Sequence, residues 1–305
     1  MKSAFVLGID IGGTNVRLGL VTEALDLSNF IQLKTDSVFQ SNCPINDLAS
    51  MIDNFIERYA TNINITAISI GFPSTVDKEA KVVLSTPNIP TLQNIQVVDE
   101  LHTRFKLPIY ISRDVNFLML YDIYQQKLDT LGVLLGFYFG TGIGNAIFID
   151  GKPLKGKNGV TAELGHIPMG GDTSLCPCGS IGCLENHASG RYLVSLIQTE
   201  LKGTNIAEIF TVHAKHPQVI TFIENIAIAI ALEVSLLDPE YIILGGGILQ
   251  MKDFPKDLLE ERIKDRTRKP LPSENLEIVY ASAGQENGVI GASIYAFEQL
   301  SQERM

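Results

Sequence analysis

The sequence predicts an α/β protein of two similar domains, and two observations carry this prediction. Apolar strand-like runs at 5–11 and 15–21 flank a turn rich in Gly and Thr, and a second hairpin of the same kind lies within 130–149. After each hairpin, extended runs alternate with segments whose apolar residues recur at helical spacing. This similarity between the two halves indicates two similar domains that face a shared ligand.

The first half of the chain is interpreted as a sheet with helices packed on it. Its opening hairpin is followed near 31–35 by another extended run, which makes an antiparallel meander. The further elements predicted here are a helix over 45–59, a buried strand over 65–72, a strand over 108–112 and a helix over 114–126.

The second half opens with an uncharged segment, 130–149, that is long enough to cross a bilayer if it is helical. Its centre, Gly140-Thr141-Gly142, is turn chemistry between β-branched and aromatic runs, so we interpret it as a buried hairpin and expect no membrane partner. A Gly- and Cys-rich loop follows. A long helix over 218–237 then ends before a strand over 241–244, which runs into Gly245-Gly246-Gly247.

Composition excludes several classes of protein. With 305 residues, 45% of them hydrophobic, the chain can bury a large core. Its net charge of -10 argues against a broad basic face, so no nucleic-acid partner is expected. The basic stretch 262–269 is interleaved with acids and indicates a solvated helix face. Asp10 interrupts the first apolar run too early for a signal peptide, which predicts a cytoplasmic protein.

The glycine turns are typical of phosphate-binding loops. Gly12 and Gly13 let backbone N–H groups approach an anion that a Cβ would block, and Thr14 adds a hydroxyl donor. Neither hairpin turn is a Walker loop or a dinucleotide fingerprint, and a plain hairpin is the alternative for any single turn. Three such sites together favour a triphosphate. Asp10 is placed to hold Mg²⁺ directly or through water.

Three of the four cysteines fall within eight positions, with a histidine ten residues upstream. Three thiolates and an imidazole make a closed tetrahedral zinc site, which is usually structural. Three free thiols are one alternative. A zinc-ribbon module for nucleic acid is another, but the neighbours are acidic, Glu163 and Glu185. Cys43 is distant from the other three in the sequence, and we expect it to be a buried packing residue and not a ligand. The predicted zinc ligands are His166, Cys176, Cys178 and Cys183.

Taken together, these motifs resemble the ROK sugar kinases, within the actin-like and hexokinase-like ATPase superfamily. The likeness covers essentially the whole chain, and the cysteine motif with Glu163-x-x-His166 is its most specific part. The matching motifs are Asp10-Ile11-Gly12-Gly13-Thr14, Gly71-Phe72-Pro73, Thr86-Pro87-Asn88, Asp114-Val115-Asn116, Gly140-Thr141-Gly142-Ile143-Gly144, Glu163-Leu164-Gly165-His166, the cysteine run ending at Glu185, and Leu244-Gly245-Gly246-Gly247.

The resemblance implies a fold and a domain organisation. It implies two actin-like (ribonuclease H-like) domains, each a mixed sheet with helices, around an interdomain cleft. The expected first domain covers 1–115 plus 288–305, with a C-terminal helix that folds back onto it, and the second covers 116–287. The family also favours a homodimer.

The resemblance further implies an ATP-dependent kinase that phosphorylates the 6-hydroxyl of a hexose with ATP, Mg²⁺ and structural Zn²⁺. Asp114 would be the general base, a role that suits a carboxylate, although it could also serve as a helix N-cap. The implied sugar-binding residues are Asn88, Arg113, Asn116, Glu163, His166 and Glu185, with His166 also a zinc ligand. The implied nucleotide-binding residues are Asp10, Gly12, Gly13, Thr14, Gly140, Thr141, Gly142, Gly246 and Gly247.

Two departures from the family pattern bear on the substrate. Most members have Asn where this chain has Arg113, and Gly where it has Ser74. Both features resemble the D-allose kinase branch, so D-allose is the expected sugar. N-acetylmannosamine kinase and glucokinase are the alternatives. A sugar-responsive ROK repressor is less expected, because such repressors carry a DNA-binding helix-turn-helix before the first phosphate strand, which here begins at Phe5.

Overall fold

A computed structural model describes residues 4–86, 89 and 91–303 of the chain. Its contacts divide the chain into two compact units. Unit 1 comprises Met1–Leu128, Lys155–Thr161 and Ala283–Met305, and unit 2 comprises Asp129–Leu154 and Ala162–Ser282. The sequence-based boundary at 115/116 therefore differs from the observed one by a helix.

The described residues form strands and helices throughout both units. The strands are β1 Ala4–Ile11, β2 Asn15–Thr22, β3 Leu27–Lys34, β4 Asn64–Phe72, β5 Thr75–Val76, β6 Val83–Ser85, β7 Ile109–Arg113, β8 Val133–Phe139, β9 Ile143–Ile149, β10 Lys152–Pro153, β11 Tyr241–Gly245 and β12 Ile278–Tyr280. The helices are α1 Thr35–Val38, α2 Pro44–Tyr59, α3 Val97–Phe105, α4 Asp114–Gln126, α5 Glu185–Ala188, α6 Gly190–Thr199, α7 Ile209–Val212, α8 Pro217–Leu237, α9 Lys256–Arg266 and α10 Asn287–Glu303. Short 3₁₀ turns cover Leu164–His166 and Ile206–Glu208.

Unit 1 is built on a five-stranded mixed sheet of order β3-β2-β1-β4-β7. The first three strands form the predicted antiparallel meander, and β1, β4 and β7 run parallel. Apolar side chains of β1, β2 and β4 form one core with the inner face of α2. The predicted helices over 45–59 and 114–126 are confirmed as α2 and α4.

The C-terminal helix α10 packs in unit 1, against β1 and α4. Two glycines allow this close approach. A Cβ at Gly291 would overlap the carbonyl oxygen of Phe117 in α4, and a Cβ at Gly288 would lie 2.6 Å from Cγ of Asp10 in β1. Because α4 is held between β4 and α10, it belongs to unit 1, and the sequence-based boundary cut it off.

Unit 2 repeats the arrangement with a second five-stranded mixed sheet of order β10-β9-β8-β11-β12. Here β8 and β9 form the predicted hairpin, and β8, β11 and β12 run parallel. Position for position, this order matches the sheet of unit 1: an antiparallel meander followed by two parallel strands. The prediction of two similar domains, each a mixed sheet with helices, is confirmed.

Helix α8 is the one helix among the described residues that is long and apolar enough to cross a membrane by length and composition. Its mean hydropathy is 1.9, but 61% of that apolar window is buried inside the protein. Core helices of globular proteins share these properties. The uncharged segment 130–149, which raised the membrane question in the sequence, forms β8 and β9 instead.

One buried carboxyl in α8 gives unit 2 a testable pH dependence. Burial raises the pKa of Glu233 to about 7, although a hydrogen bond from Asn145 Nδ2 at 3.0 Å opposes the shift. The folded state therefore binds a proton that the unfolded state releases near pH 4.5. The contribution of Glu233 to stability is present below that pH and is lost as the pH rises to about 7.

Replacing Glu233 with Gln should flatten this part of the pH profile. At pH 8 the variant should be more stable than the parent protein by about 3 kcal/mol, since the buried charge is gone. Urea unfolding at pH 5 and pH 8 measures the change, with the exposed Glu208→Gln as the matched control. If the free energy of unfolding changes between pH 5 and pH 8 by the same amount in the parent protein and in Glu233→Gln, this account is wrong.

Candidate functional site

In unit 1, the predicted site residues gather where the parallel strands β1, β4 and β7 end. The strand register places Asp10, Gly71 and Ser112 in one row. Arg113 and Asp114 follow immediately, at the end of β7 and the start of α4. In open α/β sheets, ligands bind in the crevice outside the carboxyl ends of the parallel strands.

Asp10 is buried beside one arginine, Arg17. It pairs with Arg17 directly across the first hairpin, so both side chains lie on the same face of the sheet. Arg17 Nη1 donates to Asp10 Oδ2 at 3.1 Å, and Gln285 Oε1 accepts from Arg17 Nε and Nη2. Burial raises the pKa of Asp10, while the charge and hydrogen bond of Arg17 oppose that rise.

The Gly12–Asn15 turn, which the sequence predicts to bind phosphate, is held by Thr35, the first residue of α1. Gly12 N–H donates to Asn15 O at 2.8 Å and closes the turn. Thr35 then holds it from outside: its hydroxyl donates to Gly12 O at 2.7 Å, and its N–H donates to Thr14 O at 3.0 Å. Gly13 and Thr14 are exposed, so the outer part of the turn can reach a ligand.

Asp114 is the first residue of α4, and Arg113 takes the N-cap position. Its Oδ1 accepts from the N–H of Val115 at 2.7 Å, and the side chain is half-buried. A Cβ at Gly71 would lie 3.2 Å from Cα of Asp114, so the end of β4 fits closely against the start of α4. Asp114 is therefore fixed by the backbone of two elements.

The neighbours of Asp114 are also held in place. Arg113 Nη1 donates to the carbonyl oxygen of Thr161 at 2.6 Å, within the Lys155–Thr161 segment of unit 1. Asn116 Nδ2 donates to Ser112 Oγ at 3.0 Å, four residues earlier in β7. The amide of Asn116, a predicted sugar ligand, is thus oriented by the residue before Arg113.

Ser74, the second departure from the family pattern, has a structural partner. Its hydroxyl lies 2.5 Å from that of Thr86, and both side chains are buried. A glycine at 74 would leave Thr86 without this contact. Thr86 directly precedes Pro87-Asn88 in the sequence. Asn88, predicted as a sugar ligand, lies outside the described residues.

In unit 2, the turn 140–142 (the second predicted phosphate turn) and the glycines 246–247 after β11, all predicted to bind nucleotide, lie together. Gly140 N–H donates to Gly142 O at 2.9 Å and closes the turn after β8. Gly246 has a φ of +93°, and a Cβ there would overlap the backbone of Phe139, the last residue of β8. The glycines that follow the parallel strands β8 and β11 are therefore adjacent. This brings Gly140, Thr141, Gly142, Gly246 and Gly247 to one edge.

The four predicted zinc ligands converge. One ligand atom from each of His166, Cys176, Cys178 and Cys183 lies within 4.8 Å of all the others. Cys176 Sγ is 3.7 Å from His166 Nδ1, and Cys178 Sγ is 3.7 Å from Cys183 Sγ. Tetrahedral zinc with bonds of about 2.0–2.3 Å requires edges of about 3.5–3.8 Å, so both of these distances match a zinc site. Burial and the neighbouring thiols raise the pKa of Cys183 to about 12, and a cation bound to the cluster would favour its thiolate.

His166 connects this cluster to the predicted sugar residues. Its Nδ1 faces the cysteines, while its Nε2 lies 3.8 Å from Oε2 of Glu163. An imidazole bound to zinc through one nitrogen is commonly oriented by a carboxylate at the other. Glu185, two residues after Cys183, is buried, and both of its carboxylate oxygens have partners in unit 2.

The loop that carries the cysteines is held by a second polar cluster. Asp172 Oδ2 accepts from Ser174 Oγ at 2.6 Å and from His187 Nε2 at 2.8 Å. These hydrogen bonds lower the pKa of Asp172 to about 2, so the carboxylate is charged at neutral pH. His187 lies in α5, and the contact ties the loop to that helix.

Several residues that hold these sites were missed by the sequence reasoning. Arg17, Thr35 and Arg191 contact predicted site residues through side-chain hydrogen bonds. The sequence alone would not have identified Arg17, because counting outward from a Gly12–Gly13 turn places Asn15 opposite Asp10, whereas the observed register is centred on Gly13–Thr14 and pairs Asp10 with Arg17. The expectation that Cys43 is buried was wrong: it is exposed at the N-cap of α2, where the chain enters the helix from the surface.

Comparison with known proteins adds independent information. The sequence profile of the ROK family matches residues 6–299. A glucokinase from Thermotoga maritima is 26% identical, over 98% of this chain and 99% of its own length. An N-acetyl-D-glucosamine kinase from Photobacterium profundum is 29% identical, over 94% and 97%. The crystal structure of a ROK hexokinase from Thermus thermophilus has a TM-score of 0.78 at 25% identity, over 98% and 99%.

Proposed function

The chain belongs to the ROK family, and we propose that it is an ATP-dependent sugar kinase whose preferred substrate is D-allose. The observation that carries the proposal is the fixed position of Asp114 at the carboxyl ends of the parallel strands, on the edge that also carries Asp10 and the Gly12–Thr14 turn. A carboxylate and a phosphate turn on one sheet edge suit phosphoryl transfer to an alcohol.

In the proposed reaction, the 6-hydroxyl oxygen of the sugar attacks the terminal phosphorus of ATP. Asp114 accepts the hydroxyl proton as the new P–O bond forms, and the bond between the β- and γ-phosphates breaks to release ADP. Positioned proton transfer contributes about 10²–10⁴-fold to such reactions. Alignment and charge neutralisation of the phosphoryl oxygens supply the rest.

The other predicted residues have proposed roles in binding. We propose that Glu163, His166, Glu185, Asn116 and Asn88 bind sugar hydroxyls, and that zinc on His166 and the three cysteines holds that loop rigid. The proposed nucleotide contacts are Asp10, through Mg²⁺, and the glycine sites Gly12, Gly13, Thr14, Gly140, Thr141, Gly142, Gly246 and Gly247. We further propose a cytoplasmic homodimer that binds neither nucleic acid nor membrane.

The choice of sugar rests on Arg113. The guanidinium stands where most family members have an amide, and it is tied to Thr161 O at 2.6 Å. A guanidinium only donates hydrogen bonds, whereas an amide both donates and accepts. The two side chains therefore favour different hydroxyl configurations, and Arg113 should disfavour glucose.

A coupled ADP-release assay over a panel of sugars tests both levels of the proposal. The panel contains D-allose, D-glucose, D-mannose, N-acetylmannosamine and N-acetylglucosamine, and D-allose should give the highest kcat/KM. In Arg113→Asn the ratio of kcat/KM for allose over glucose should fall by at least tenfold, which corresponds to about 1.4 kcal/mol. If another sugar gives a much higher kcat/KM than D-allose, the proposed substrate is wrong, but the proposed kinase activity is not contradicted. If no sugar accelerates ADP release, the kinase proposal fails.

A further inference from the structure

Glu185 has an unusual position for a residue predicted only to bind sugar. It is the first residue of α5, and its side chain is only 9% exposed. Ile143 N–H donates to its Oε2 at 2.7 Å, and Arg191 Nη2 donates to its Oε1. A Cβ at Gly142 would overlap Oε2. The carboxylate therefore lies directly against the second phosphate turn.

Residues 190–191, at the start of α6, also hold the backbone of the turn 140–142. Gly190 N–H donates to Gly140 O at 2.8 Å, and Arg191 N–H donates to Thr141 O at 3.2 Å. Arg191 thus contacts the turn directly through its backbone N–H. It also acts on the residue after the turn, Ile143, indirectly, because its guanidinium holds the Glu185 carboxylate that accepts from Ile143 N–H. The shape of the turn depends on the start of α6 and on one carboxylate.

On its other side, Glu185 is continuous with the cysteine loop. Leu184 N–H donates to Ile167 O at 2.9 Å, and Asn186 N–H donates to Cys183 O at 3.0 Å. A Cβ at Gly165 would lie 3.4 Å from Glu185 Oε2, which places the carboxylate beside the Glu163–His166 segment as well. A single side chain therefore contacts both the proposed sugar loop and the phosphate turn.

We propose that Glu185 couples sugar binding to nucleotide binding within unit 2, with Arg191 as the positioning residue that sets its carboxylate. The inference rests on the proposed function, since it names how two ligands of that site influence each other. A sugar hydroxyl that bonds to Glu185 restrains the carboxylate and, through Ile143 N–H, the turn. Because the turn is then already ordered, nucleotide binding costs less conformational entropy.

The charge balance supports Arg191 in this role. A buried carboxylate without a cation is costly, and one compensated by a guanidinium is held in a defined geometry. Arg191 itself is 41% exposed, so it can be changed without opening the core. Coupling between ligand sites is typically 5–150-fold in affinity, and the effect here should be at least about fivefold.

Calorimetric titration of Mg²⁺–AMPPNP, without sugar and with saturating D-allose or D-glucose, measures the coupling directly and needs no turnover. In the parent protein, sugar should tighten AMPPNP binding at least about fivefold. In Arg191→Met this ratio should fall to about one, and in Arg191→Lys, which keeps the charge but loses the planar fork, to an intermediate value. The matched control is Arg266→Met, another exposed arginine of unit 2 that pairs with a helix carboxylate, Glu224; it should keep the parent ratio.

The possible results separate this inference from the proposed function. If the parent protein binds neither AMPPNP nor any sugar, the proposed function is wrong. If it binds both without coupling, or if Arg191→Met and Arg191→Lys keep the parent ratio, only the inference is wrong. Should Arg191→Met fail to fold, the ratio in Arg191→Lys decides: a parent-like value overturns the role of Arg191, and a reduced value supports it.

Discussion

Replacing Asp114 with asparagine is expected to lower kcat by about 10²–10⁴-fold with little change in the affinity for sugar or nucleotide. The amide has nearly the same shape, and its oxygen can still accept from the N–H of Val115, so the first turn of α4 should be preserved. It cannot accept the hydroxyl proton. Steady-state kinetics with the preferred sugar give kcat, and calorimetric titration of sugar and AMPPNP gives the two affinities.

The control for this prediction is Asp99→Asn. Asp99 also lies in the first turn of a helix of unit 1, α3, and it is exposed. It should leave kcat and melting temperature unchanged. If Asp114→Asn lowers kcat less than about tenfold, or lowers it only as far as it lowers the folded fraction, Asp114 acts structurally and not as the base.

The fold could be predicted from the sequence because its strongest determinants are local. Strands β1 and β2 are apolar runs on either side of a Gly-Gly turn, which is enough to predict that they pair as a hairpin, although not in which register. The boundaries of α4 and α8 follow from apolar spacing and, for α8, from the proline after its end. The cysteine cluster was equally visible, since its ligands are close in the chain.

The contacts that orient the site side chains were not predictable in the same way, because they join distant parts of the chain. Arg17 and Gln285 are 268 residues apart, and Arg113 meets Thr161 across 48 residues. Arg191 is only six residues from Glu185, but α5 ends at Ala188 and α6 begins at Gly190. Helical spacing across that break would have placed the two side chains wrongly.

The domain boundary illustrates the same limit. Sequence periodicity shows that α4 is a helix but not which sheet it covers. Its assignment to unit 1 depends on Gly291 of α10, which lets the C-terminal helix touch the backbone of Phe117. The only local trace of this contact between residues 117 and 291 is the glycine itself, and a glycine within a helix does not say which residue packs against it.

Removing one ligand of the cysteine cluster should lower stability and sugar affinity together. Cys178 is the best choice because it is exposed, so Cys178→Ala removes a ligand with little loss of packing. Structural zinc supplies on the order of 10 kcal/mol in small zinc domains, and we expect several kcal/mol here because the loop is only part of unit 2. His166 would lose its fixed orientation beside Glu163, which is why sugar binding should fall with the metal. Metal analysis, thermal melting and sugar titration measure the three effects.

The matched control is Cys43→Ala, which removes the exposed cysteine of unit 1 that lies outside the cluster. It should keep the metal content, the melting temperature and the sugar affinity of the parent protein. If Cys178→Ala loses the metal but keeps its sugar affinity, the loop is a stabiliser only, and His166 and Glu163 do not need zinc to bind hydroxyls. If it keeps both melting temperature and affinity, the cluster has no structural role. A joint loss would show that the metal holds the sugar-binding residues in place, since Cys178 itself is not among the proposed sugar contacts.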